Sequence, residues 1–196
     1  MRRLHTAGTR IKSNPPPQKI AVVIVDMQGE SVEHLAYRHG TAVNGIERMK
    51  KLIRCAREAS LPIIFSEQES VVQEQSRTMS ILLEEAKWRF IRIVKPEPSV
   101  FSNEDFDSEL TGTNRDTLVV TGFNRIACVL ATVSDALEKG YRVITSDELM
   151  FGSSNSDYAL RKQIESAIRF YRRRTIFYRS SEELIAAICN AQESMQ

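Results

Sequence analysis

The chain has 196 residues, of which 42% are hydrophobic and 27% charged, a balance that suits one globular domain of ordinary size. Its 27 Lys and Arg residues nearly match its 25 Asp and Glu, and a net charge of +2 excludes an electrostatic case for nucleic acid or an anionic membrane surface. No apolar stretch approaches the roughly 18 residues needed to span a bilayer.

Residues 1–18 are basic, lack acid and carry Pro15-Pro16-Pro17, which favours an extended segment over an amphipathic transit helix. They are expected to form a flexible N-terminal arm ahead of a single domain at 19–196, an arm that can also pack on a neighbouring subunit. IAVVIV (20–25) is a continuous β-branched run with no polar alternation, as in a parallel strand buried on both faces. Apolar residues at Val43, Ile46, Met49, Ile53 and Ala56 give a helical period over 41–60, and residues 61–65 form a second strand. The Glu- and Gln-rich stretch 67–77 reads as a loop. Residues 79–86 are helical, 90–94 form strand three and 104–110 a short helix. Strand four covers 117–121, a helix 126–139 with Gly140 as its breaker, and strand five 142–145. A long helix at 158–171, a sixth strand at 175–178 and a serine-capped last helix complete the chain. Arg172-Arg173-Arg174 reads as a solvated helix end that favours the dipole. Alternating strands and helices predict a one-domain α/β protein with a doubly wound parallel sheet.

Cys55, Cys128 and Cys189 are odd in number and far apart, so no disulfide framework is expected and a reducing cytoplasm is the simplest setting. Cys55 and Cys189 lie in helical patterns and read as small buried hydrophobes. His5, His34 and His39 show no ligand spacing with the cysteines, which predicts no metal site.

In open α/β sheets, ligands bind beyond the carboxyl ends of the strands. Strand one delivers Asp26 there, strand three Lys95, and strand four a glycine turn and Cys128 at a helix start. The three make a usable set. Helix N–H groups and a lysine ammonium favour a thiolate. A carboxylate takes the thiol proton and later gives it to a leaving amine. Taken singly, each residue is equally a cap, a solvated strand end or a packed sulfur.

IAVVIVDMQ, IVKPEPSVF and VVTGFNRIACVLATVSDALEKGYRVI, in this order, resemble the three motifs of the isochorismatase-like cysteine hydrolases, a superfamily that includes nicotinamidases and carbamoyl amidohydrolases. The resemblance implies a three-layer α/β/α fold with a six-stranded parallel sheet of order 3-2-1-4-5-6. It implies a triad with Asp26 as general base and then acid, Lys95 supporting the thiolate, and Cys128 forming an acyl-enzyme. It further implies a cis peptide between Phe123 and Asn124, an oxyanion hole from the N–H groups of Asn124 and Cys128, and a substrate pocket near Gln28, Phe101, Phe123 and Arg125. The expected reaction is metal- and cofactor-free hydrolysis of an amide or carbamoyl C–N bond in a small molecule. A cytoplasmic homodimer or homotetramer is the expected setting. A vinyl-ether hydrolase and a catalytically silent binding or assembly protein are the alternatives. The sequence departs from the family pattern at Gly29-Glu30-Ser31 and at Arg125-Ile126-Ala127. Arg125 faces either an anionic substrate or solvent. Ser66-Glu67-Gln68-Glu69-Ser70 carries no histidine, which argues against a nicotinamidase.

Overall fold

Strand β1 (Ile20–Val25) is buried along its whole length and pairs in parallel with β2 (Ile63–Gln68) on one side and β4 (Thr117–Phe123) on the other. Its side chains alternate between two cores, because successive residues of a strand point to opposite faces. Ile20, Val22 and Ile24 enter one apolar cluster with Met49, Leu52, Leu184 and Ile188. Ala21, Val23 and Val25 enter the other with Phe106, Val129, Val133 and Tyr171. A run without polar alternation thus results from helices on both faces.

The computed structural model describes residues 19–29, 32, 41–69, 77–112, 114–152 and 158–189. The predicted arm at 1–18, and Glu30 and Ser31, lie outside the described residues. Helix α1 (Thr41–Glu58), α2 (Ser80–Glu85) and α6 (Ser181–Cys189) contribute to the first core. Helices α3 (Glu104–Gly112), α4 (Cys128–Glu138) and α5 (Tyr158–Arg174) contribute to the second. With β3 (Ile91–Lys95), β5 (Arg142–Ser146) and β7 (Ile176–Tyr178), the sheet order is β3-β2-β1-β4-β5-β7, which is the expected three-layer fold and strand order. Among the described residues no helix is long and apolar enough to cross a membrane.

Three details differ from expectation. A seventh, two-residue strand, β6 (Met150–Phe151), pairs with Gly122 and Phe123 at the end of β4. It fills the place that β5 leaves, since β5 pairs with β4 at Thr117, Leu118 and Val119; two residues are too few to show a strand period. Helix α4 starts at Cys128 and not at Ile126, because the N–H groups of Ala127 and Val129 both turn back to the carbonyl of Asn124. The third correction concerns the cysteines. Cys55 on α1 and Cys189 on α6 are joined as a disulfide, their Cα atoms 6.1 Å apart and 134 residues apart in sequence. Helical periodicity placed each sulfur on an apolar face but did not reveal that the two faces meet.

One close approach sets the geometry of the sheet's carboxyl edge. Gly122 lies beside Val25, with φ at 115°, and a Cβ there would collide with the Val25 backbone. Only glycine lets β1 and β4 run this close at the point where Asp26 and the loop to Cys128 emerge. Gly140 also has positive φ, 88°, but a Cβ there meets nothing within 4 Å. Gly140→Ala is therefore expected to cost about 1–2 kcal/mol from backbone strain. Gly122→Ala must add a backbone clash and cost clearly more. Urea unfolding of the two variants checks the order.

Candidate active site

Asp26 follows β1 in a left-handed conformation, φ 47°, which aspartate tolerates better than most residues with a side chain. Its N–H continues the ladder to the Ser66 carbonyl at 3.0 Å, and the turn then brings the carboxylate into the sheet edge. There Asp26 Oδ2 lies 2.8 Å from Lys95 Nζ, and the Ser66 hydroxyl donates to Oδ1 at 3.4 Å. The Cys128 thiol lies near enough to the same carboxylate for each to shift the other's pKa. Asp26 is 4% exposed and Lys95 0%, whereas Cys128 is half-buried. The structure thus brings together the three residues singled out at three separate strand ends.

Burial dominates the electrostatics. It raises the Asp26 carboxyl above its ordinary range, ahead of the lowering by Lys95. It also pushes the Cys128 thiol up to about 11; the negative Asp26 adds to this, and Lys95 and the main chain of Asn124 oppose it. The raised pKa keeps the resting sulfur a thiol, because it is desolvated and sits near an anion as well as a cation.

The loop between β4 and Cys128 contains a cis Phe123–Asn124 peptide, as anticipated. The Asn124 side-chain oxygen accepts from Ile126 N–H at 3.2 Å. Arg125 is tied at both its main chain and its side chain. Its N–H donates to the Phe151 carbonyl at 2.7 Å, and its carbonyl accepts from the hydroxyl of the buried Tyr171. The guanidinium bonds Asp147 at 3.1 Å and the Met150 carbonyl. Neither earlier expectation for Arg125 holds. The side chain meets neither solvent alone nor an open anion site; it fastens the loop to the segment 147–151.

The other pocket candidates separate. The Gln28 amide grips the main chain of Gln68, accepting from its N–H at 3.0 Å and donating to its carbonyl at 3.2 Å. Phe101 packs edge-on against Phe106, beside Tyr141 and under Lys139. The N–H of its neighbour Val100 donates to Thr132 Oγ1 at 3.2 Å, one turn along α4 from Cys128. Phe123 is half-buried against the first core. Sequence reasoning missed Ser66 and Gln68. The signal available was a polar run, Ser66-Glu67-Gln68, closing an apolar strand at the sheet edge where Asp26 and Lys95 emerge. Among the described residues no group of three or more His, Cys, Asp or Glu side chains is arranged to hold a metal ion.

A parallel α/β sheet presents an acid, a lysine and a thiol on the first residue of a helix at one edge, the arrangement of a hydrolase-like fold. The isochorismatase domain model matches residues 20–163, and the chain belongs to that family. Isochorismatase family protein 1B of Dictyostelium discoideum is 25% identical over 152 residues, covering 72% of this chain and 67% of that protein. A cysteine hydrolase from Pseudomonas syringae pv. phaseolicola 1448A shares the fold with a TM-score of 0.76 at 19% identity, covering 91% of this chain and 96% of that one. MAR1 ribonuclease from Caenorhabditis elegans does so with a TM-score of 0.73 at 20% identity, covering 93% and 92%.

The raised thiol has a consequence for stability. An unperturbed Cys128 thiol ionises near 9.0 and the folded one near 11, so between these values the unfolded chain binds fewer protons. Native stability must then fall as pH rises from about 9 to about 11, with the full contribution present below 9. Urea unfolding across this window is expected to show a slope in wild type that is reduced in Cys128→Ala.

Proposed function

We propose that the protein is a cysteine hydrolase that cleaves an amide or carbamoyl C–N bond of a small molecule through an acyl-enzyme on Cys128, without a metal ion. The observation that carries this reading is the placement of the three residues at one sheet edge, with Asp26 Oδ2 2.8 Å from Lys95 Nζ and the half-buried Cys128 thiol near enough to feel the charge of both. A thiol near 11 is a poor nucleophile at neutral pH unless a base accepts its proton as it attacks. Asp26 is such a base, and its burial-raised pKa makes it a stronger one than an ordinary carboxylate.

In the first half-reaction the sulfur adds to the carbonyl carbon while its proton passes to Asp26. The carbonyl oxygen becomes an oxyanion, held by the N–H groups of Asn124 and Cys128. Donors of this kind contribute about 3–4 kcal/mol each. The tetrahedral species collapses, the C–N bond breaks, and Asp26 returns its proton to the departing nitrogen. In the second half-reaction water adds to the thioester with Asp26 again taking a proton. The carboxylic or carbamic acid leaves and the thiol is restored. Lys95 keeps its charge throughout, limiting how far the buried carboxylate drifts toward permanent protonation. Amide hydrolysis is favoured over phosphodiester chemistry because Arg125, the loop's cation, is already committed to Asp147.

Ammonia or amine release from a panel of amides and carbamoyl compounds tests the reading. A compound turned over by wild type should lose at least about 10³-fold in rate with Cys128→Ala and with Asp26→Asn. Dialysis against EDTA should leave the rate unchanged. A compound hydrolysed equally by wild type and Cys128→Ala would instead point to a thiol-independent, vinyl-ether type of hydrolysis.

A further inference from the structure

Lys95 is fully buried, and a buried ammonium persists where its three N–H groups find acceptors. The acceptors here are Asp26 Oδ2 at 2.8 Å, Gln68 Oε1 at 2.8 Å and the Glu97 carbonyl at 3.3 Å. Gln68 is as close to the ammonium as its ionic partner is. Its orientation is fixed as well. Gln68 Nε2 donates to the carbonyls of Lys95 at 3.2 Å and Pro96 at 2.9 Å, so the amide oxygen must face the ammonium. A flipped amide would set its N–H groups against those of Lys95 and its oxygen against two carbonyls.

Gln68 is in turn held from the other side. β1 pairs with β2 as far as Val25 and Ser66, and the Asp26 N–H adds one more bond to Ser66 before the chain turns away. Two residues further along β2, the Gln28 side chain takes up both main-chain groups of Gln68, one as acceptor and one as donor. A side-chain amide there stands in for the peptide that β1 no longer supplies. Strand β3 pairs Lys95 with Gln68 on the opposite side.

We propose that Gln68 is a positioning residue for the Asp26–Lys95 pair, holding the ammonium charged and directed at Asp26, with the Gln28 amide locking Gln68 in register. The proposal rests on reading Asp26, Lys95 and Cys128 as the hydrolytic machinery. It also assigns Lys95 a purely electrostatic part, since its three N–H groups are engaged within the protein. The charged groups around Lys95 are Asp26 from β1 and the Cys128 thiol from α4. Glu67 on β2 is bonded to Thr78 at 2.9 Å and lies 4.0 Å from Arg92, and Arg125 is paired with Asp147.

Alkylation of Cys128 by iodoacetamide, followed by peptide mass in the full-length protein between pH 7 and pH 9, tests this without a known substrate. Alkylation follows the thiolate fraction. Lys95→Met removes the cation that favours the thiolate and should slow the reaction at each pH. Gln68→Met, which keeps the side-chain length and removes the acceptor, should slow it in the same direction by about threefold or more, equivalent to about 0.5 pH in the titration. Gln28→Leu should give a smaller slowing. Mere loosening of the site has the opposite sign, because a more exposed sulfur reacts faster. An unchanged or faster rate in folded Gln68→Met, alongside slowing in Lys95→Met, overturns the proposal and leaves the hydrolase reading standing. Where Gln68→Met does not fold, Gln28→Leu decides: slowing supports the proposal, and a wild-type or faster rate overturns it. A wild-type rate in Lys95→Met overturns both, since the thiol would then not feel the ammonium.

Discussion

The buried ion pair between Asp26 and Lys95 is the constraint on which the site depends. Removing a carboxylate and an ammonium from water costs several kcal/mol each, and a pair of this kind adds little net stability even with good geometry. The protein supplies that geometry at 2.8 Å and surrounds it with Ser66, Gln68 and the Glu97 carbonyl. A sequence selected only for stability would place apolar side chains at this edge. The pair makes sense as a device that keeps a desolvated carboxylate basic, yet ionised enough to accept a proton from the sulfur beside it.

The fold exists in a form that serves this pair. β1 is a central strand, apolar on both faces, and its neighbours β2 and β4 run on past its last residue, Val25. Gly122 permits the close approach at which β1 hands over to Asp26 and β4 to the nucleophile loop. The loop is then fixed from outside by Arg125, which ties it to Asp147, Met150, Phe151 and Tyr171. Arg125, which departs from the family pattern, is thus a support of the loop, and Cys128 opens a helix.

The doubly wound α/β class and the arrival of Asp26, Lys95 and Cys128 at one sheet edge were legible in the apolar runs and in what stands where they stop, whereas the strand order and the joining of the three as a triad were implied by the family resemblance. Side-chain partnerships across elements were not. Gln28 carries no sign that its amide spans to the main chain of Gln68, nor Arg125 that it reaches Asp147 22 residues away. Phe101, singled out from its place after Lys95-Pro96, packs with Phe106 and Tyr141, partnerships across elements that could not be read from the sequence. The Cys55–Cys189 bond joins two helices across 134 residues of sequence, a pairing that helical periodicity alone does not reveal. The depth at which Cys128 is buried, the largest cause of its raised pKa, was not visible in the sequence, whereas the helix start, the lysine and the carboxylate were.

The account stands on one claim, that the proton on Cys128 is held there by burial and by the negative charge of Asp26. Spectroscopic titration of the thiolate in wild type and in Asp26→Asn measures this directly. The thiol is predicted to titrate near 11 in wild type and to move down toward 9.0 when the Asp26 charge is removed. An unchanged or higher value in Asp26→Asn would show that Asp26 does not govern the sulfur and would contradict the account.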